Sequence, residues 1–89
     1  MSMTLYIKIL SIQYPERYVV RRLVTAAYEE FSAERPDIKM EIIEVGDAAL
    51  ICQYAQVLFQ PTLVINEKVV CSGPFPTKGE IVQWLREAL

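Results

Sequence analysis

A change of hydrophobic period at Pro15 sets the tightest limit on what this chain can fold into. Before it, Leu5-Tyr6-Ile7-Lys8-Ile9-Leu10 is a short β-branched and apolar run closed by Ser11 to Pro15, which reads as a strand. After it, Val20, Leu23, Val24, Ala27, Tyr28 and Phe31 recur at three- and four-residue spacing, while Arg21, Arg22, Glu29, Glu30 and Glu34 fall mainly on the other side. That spacing predicts a long amphipathic helix, with Pro15 near the first-turn position where its missing N–H costs nothing. Arg35-Pro36-Asp37 stops the helix, and Ile38 to Val45 alternates as a second strand. A strand, a helix and a strand in succession imply a right-handed crossover between parallel neighbours.

Gly46-Asp47 then supplies a turn and an N-cap for a short apolar helix from Ala48 to about Ala55. Pro61 to Ile65 and Lys68 to Ser72 are strand-like runs separated by Asn66-Glu67, a hairpin signal weakened by the lack of glycine. Thr77 and Glu80 stand at capping-box spacing ahead of Ile81, Val82, Leu85 and Leu89, the apolar side of a terminal helix. The order is βαβαββα, an α/β chain with a mixed four-stranded sheet and helices on both faces. Its 89 residues allow one core, so residues 1–89 form a single domain, and 53% hydrophobic residues are enough to fill it.

The residue inventory removes whole classes of chemistry. The chain has no histidine, and its two cysteines, Cys52 and Cys71, form no C-x-x-C and cannot make a zinc site by themselves. Triads with a histidine base and zinc hydrolysis are thereby excluded, and no metal or cofactor is expected. Net charge is −2, and the Lys and Arg residues are scattered apart from Arg21 and Arg22, so neither nucleic acid nor an anionic membrane fits as a partner. Met1 to Tyr6 lacks the basic and apolar regions of a signal peptide, and a cytoplasmic location is expected. Glu29, Glu30, Glu34 and Asp37 read as solubilising surface, and Tyr6, Tyr18, Tyr28, Tyr54 and Trp84 as core or half-exposed packing.

Two motifs carry a resemblance. Val57-Leu58-Phe59-Gln60-Pro61-Thr62-Leu63-Val64-Ile65-Asn66 is similar to the segment that leads into the third strand of the thioredoxin/glutaredoxin-like superfamily, and Gly73 with Thr77-Lys78-Gly79-Glu80-Ile81 is similar to the start of that family's last helix. The resemblance spans essentially the whole chain and implies a thioredoxin-like fold with a cis peptide bond before Pro61. It also implies that Gln60 offers its backbone N–H and C=O to an extended peptide.

The departure lies where the family keeps its dithiol. Ungapped superposition of the C-P-x-C pattern sets Pro15 on the motif proline and puts Tyr14 and Arg17 on the two cysteine positions. The family's thiolate is stabilised at a helix N-terminus, and a tyrosine is no substitute nucleophile, so neither oxidoreductase activity nor glutathione binding carries over.

What remains is a protein- or peptide-binding reading. Tyr14, Leu58, Phe59 and Phe75 lie on loops that such a fold gathers at one end; each either plugs the core or joins an exposed apolar patch rimmed by Gln13, Arg17 and Gln60. Tyr14, Pro15, Arg17, Leu58, Phe59, Gln60, Pro61, Gly73 and Phe75 are the candidate site residues, and Arg17 is also placed to meet an anion. Cys52 and Cys71 are expected to be buried as small hydrophobes. The alternatives are a divergent thiol-disulfide oxidoreductase using Cys71 or Cys52, and a self-associating structural subunit, such as a homodimer.

Overall fold

The computed structural model describes residues 3–54, 61–73 and 75–89. In chain order the elements are β1 (Met3–Leu10), α1 (Tyr14–Glu34), β2 (Ile38–Val45), α2 (Ala48–Ile51), β3 (Thr62–Ile65), β4 (Lys68–Ser72) and α3 (Lys78–Glu87). The sheet runs β2-β1-β3-β4, with β1 parallel to β2 and antiparallel to β3, and β3 antiparallel to β4. The expected βαβαββα order and mixed four-stranded sheet are therefore observed.

Strand alternation decides which face each side chain serves. Leu5, Ile7 and Ile9 of β1 join Leu63 and Ile65 of β3 on the face covered by Val20, Val24, Ala27 and Phe31 of α1 and Ile81, Val82 and Leu85 of α3. Each of these side chains apart from Ala27 contributes about 1.5–3 kcal/mol by leaving water, so this layer dominates stability. On the opposite face a smaller cluster of Leu10, Val64 and Ile51 packs with Val45, Tyr54 and Val69. Helices thus serve both faces, but α2 covers only the end nearest Leu10. It is also shorter than the expected span to about Ala55: Asp47 caps it through Ala49 N and Leu50 N, and its last i to i−4 hydrogen bond runs from Cys52 N to Ala48 O.

The other predicted boundaries have clear physical stops. Thr77 and Glu80 close a reciprocal capping box at the start of α3. The β3–β4 turn places Asn66 at φ 49° and Glu67 at φ 67°, the left-handed pair of a type I′ hairpin, built here without glycine. Asn66 compensates by bonding β1, donating its N–H to Tyr6 O and accepting Tyr6 N at its side-chain oxygen. The pairing of β3 with β4 is interrupted by a register shift between Leu63 and Val64.

Candidate functional site

The sheet register brings three loops to one end of the molecule. Leu10 lies opposite Thr62 and Thr62 opposite Ser72, so the segment after β1, Pro61 before β3 and Gly73 after β4 are neighbours. Thr62 Oγ1 and Ser72 Oγ share a hydrogen bond of 3.1 Å, and Gly73 donates its N–H to Pro61 O at 3.0 Å. Gly73 adopts φ 115°, a region that a side chain would strain, which explains a glycine at this turn.

Ser11 organises the junction between β1 and α1. It is fully buried, and its N–H donates to Val45 O. Its hydroxyl accepts Gln13 N at 3.1 Å and donates to Glu16 Oε1 at 2.7 Å, which sets the Glu16 carboxylate in the first turn of α1, at the positive end of the helix dipole. Gln13 is the N-cap but supplies no side-chain cap, so Ser11 and Glu16 perform that electrostatic role. A Ser-x₄-Glu spacing across a strand-to-helix junction is the sequence signal that would have pointed to this pair.

Arg17 overturns one expectation. Its side chain is only 18% exposed: Nη1 donates to Ser11 O at 2.8 Å and Nε lies 3.4 Å from Glu44 Oε1, with Arg21 on the other Glu44 oxygen at 2.9 Å. The guanidinium is therefore consumed in locking the β1–α1 junction to the end of β2 and is not a free rim cation. Its planar fork suits this double task, and a long-range partner such as Glu44 has no local sequence signature. Gly46 makes room for it, since a Cβ there would stand 2.7 Å from Arg17 Nη1.

Tyr14 and Phe75 do not plug the core. Tyr14, the first residue of α1, is 62% exposed and Phe75 is 49% exposed. The Tyr14 ring stacks on Tyr18 at a centroid distance of 6.4 Å and lies 5.5 Å below the Arg17 guanidinium, so it is held but not covered. Pro15 is exposed in the first helical turn, whereas Pro61 and Pro76 are buried anchors for their loops. Leu58, Phe59, Gln60 and the Gln60–Pro61 peptide bond lie outside the described residues.

The two cysteines lie at the end of α2 and on β4. Cys52, expected to be buried, is exposed at the C-cap of α2, because only Ile51 of that turn reaches the sheet. Cys71 is half-buried on the α1/α3 face opposite Leu63, and burial, aided by the nearby Glu80 charge, pushes its thiol above the ordinary value. Among the described residues no group of His, Cys, Asp and Glu is arranged to hold a metal ion, and no helix is long and apolar enough to cross a membrane.

No curated protein matches the chain. A family model described as a thioredoxin domain matches residues 16–86, from the first turn of α1 to the last turn of α3. With that match over most of its length, and with the strand order and helix placement described above, the chain belongs to the thioredoxin-domain family.

Proposed function

We propose that this thioredoxin domain is non-catalytic and binds an extended peptide segment of a protein partner at the end formed by Tyr14, Pro61, Gly73 and Phe75. The observation that carries the reading is the exposure of Tyr14 at the first residue of α1, the place where the family resemblance puts a nucleophilic cysteine. A solvent-facing aromatic flanked by Tyr18 and Arg17 is a good anchor for a partner and a poor nucleophile. The resemblance adds the Gln60 backbone as the strand-like edge along which such a peptide would lie, with Leu58 and Phe59 beside it. Pro15 and Arg17 would act by fixing the first turn of α1, since Arg17 is already bound to Ser11 and Glu44.

For Cys71 the thiol-enzyme alternative is disfavoured, because burial beside Leu63 makes its thiol hold the proton more tightly and a nucleophilic cysteine needs the reverse. Selection of peptides from a displayed library against the pure protein, followed by binding to Tyr14→Ala, Phe75→Ala and Gln60→Pro, tests the reading. Loss of tenfold or more in affinity in each variant is expected for anchors of this kind, about 1.4 kcal/mol or above. Reduction of insulin by the wild type, abolished in Cys71→Ser or Cys52→Ser, would replace the binding reading with the enzymatic one.

A further inference from the structure

The two edges of the sheet are built differently. β4 has five residues, starts from a turn with two left-handed residues, and loses register with β3. β2 has eight residues, contains no proline and pairs with β1 in unbroken register along its whole length. Short length and bulges are the usual means of blunting a sheet edge against further pairing, and only β4 has them.

The hydrogen bonding of β2 shows which groups its edge presents. Asp37 O accepts Met3 N and Val45 O accepts Ser11 N, so odd-numbered residues of this segment turn toward β1 and even-numbered ones turn outward. Ile38 is already engaged: its N–H donates to Arg35 O at 3.1 Å and its carbonyl accepts the Tyr28 hydroxyl. Among the described residues, the outward N–H and C=O groups of Met40, Ile42 and Glu44 have no partner.

We propose that this edge pairs antiparallel with the β2 edge of a second copy of the chain, about a twofold axis at Ile42. The three open residues are symmetric about Ile42. A dyad there sets Met40 against Glu44 and Ile42 against Ile42 of the second copy, and each facing pair exchanges two N–H···O bonds, so every open group is satisfied. An axis at Glu41 sets Glu44 against the engaged Ile38 and puts two Glu41 side chains face to face. An axis at Met40 sets Ile42 against Ile38, and one at Ile43 leaves Met40 unpaired within the strand.

Side-chain chemistry agrees with the Ile42 dyad. On the face away from α1 and α3, Glu41 meets Ile43 and Lys39 meets Val45. On the helix face Ile42 meets itself and Met40 meets Glu44, whose carboxylate is neutralised by Arg17 and Arg21. No like charges lie directly opposite. Ile43, exposed on the open face, lies along the seam, and the exposed Tyr6 of β1 stands one strand behind it.

Sedimentation of the pure chain over a range up to about 1 mM, with amide hydrogen exchange at the same concentrations, tests the proposal. A monomer–dimer equilibrium is expected, with protection rising with concentration at the Met40, Ile42 and Glu44 amides. Residue 43 is 40% exposed, so both Ile43→Glu and Ile43→Lys leave the monomer folded, as circular dichroism will check. With the dyad at Ile42, residue 43 faces Glu41, so Ile43→Glu weakens dimerisation about fivefold and Ile43→Lys strengthens it by a similar factor. The reverse order would mean that residue 43 faces Lys39 and would overturn the assigned register. A monomer at every concentration, with those three amides exchanging freely, would overturn the pairing itself.

Discussion

Gly46→Ala should destabilise the domain entirely through a side chain that is remote in sequence. Gly46 has no left-handed φ, so alanine suits its backbone and, by restricting the unfolded chain, would by itself stabilise the domain by about 0.4–1 kcal/mol. The added Cβ, however, would stand 2.7 Å from Arg17 Nη1 and 3.1 Å from Cζ, and the guanidinium must move. Arg17 then loses its bond to the carbonyl of buried Ser11, a charge-assisted interaction of about 1.5–3 kcal/mol. Loss of the pairing with Glu44, a largely buried one, adds little to this, because Arg21 remains on that carboxylate and leaves it neutralised. The net loss is about 1–2 kcal/mol, or about 5–15 °C in Tm for a domain of this size. Thermal unfolding of four proteins tests it: wild type, Gly46→Ala, Arg17→Ala and the double variant. In the Arg17→Ala background Gly46→Ala should be neutral or stabilising. If it is as harmful there as in the wild type, or harmless in the wild type, the steric route through Arg17 is wrong.

Three further outcomes follow from local geometry. Glu67→Gly should raise the urea midpoint slightly, because relieving a left-handed non-glycine residue is worth about 1–2 kcal/mol whereas the exposed Lys8–Glu67 pair is worth about 0–1 kcal/mol. Thr77→Ala should cost about 0.5–2 kcal/mol by opening the capping box of α3, and Thr77→Ser should restore most of it. Burial raises the Cys71 thiol above its ordinary value of 9.0, so its contribution is intact below that pH and is lost as pH rises from there toward the folded-state value; the alkaline decline in urea midpoint should be shallower in Cys71→Ala.

What the residues disclosed by themselves was mainly local. β1 and β2 announced themselves because period and length agree, and the α3 boundary because Thr77 and Glu80 satisfy each other within one turn. α2 was overextended because an apolar stretch after Asp47 carries no signal for where its hydrogen bonding stops. The Asn66-Glu67 turn was readable as a hairpin, but its glycine-free left-handed geometry rests on the bonds from Asn66 to Tyr6, a partner far away in sequence.

The candidate site divided along the same line. That the segments carrying Tyr14, Pro61 and Gly73 leave the sheet at one end follows from element order, and the Leu10–Thr62–Ser72 register makes those strand ends neighbours. The engagement of Arg17 is not legible locally, because Glu44 and Ser11 become its partners only after β2 is folded beside β1. The exposure of Cys52 is equally hidden, because the side of a single helical turn that meets the sheet is set by Ile51 alone.

The slip between Leu63 and Val64 also governs how large any assembly of this chain becomes. A flat ribbon with two equivalent margins can be tiled without end, which is the route to fibres. Here one margin is crooked, so a pair joined along β2 as proposed would present only crooked margins to its surroundings, and growth would terminate at two.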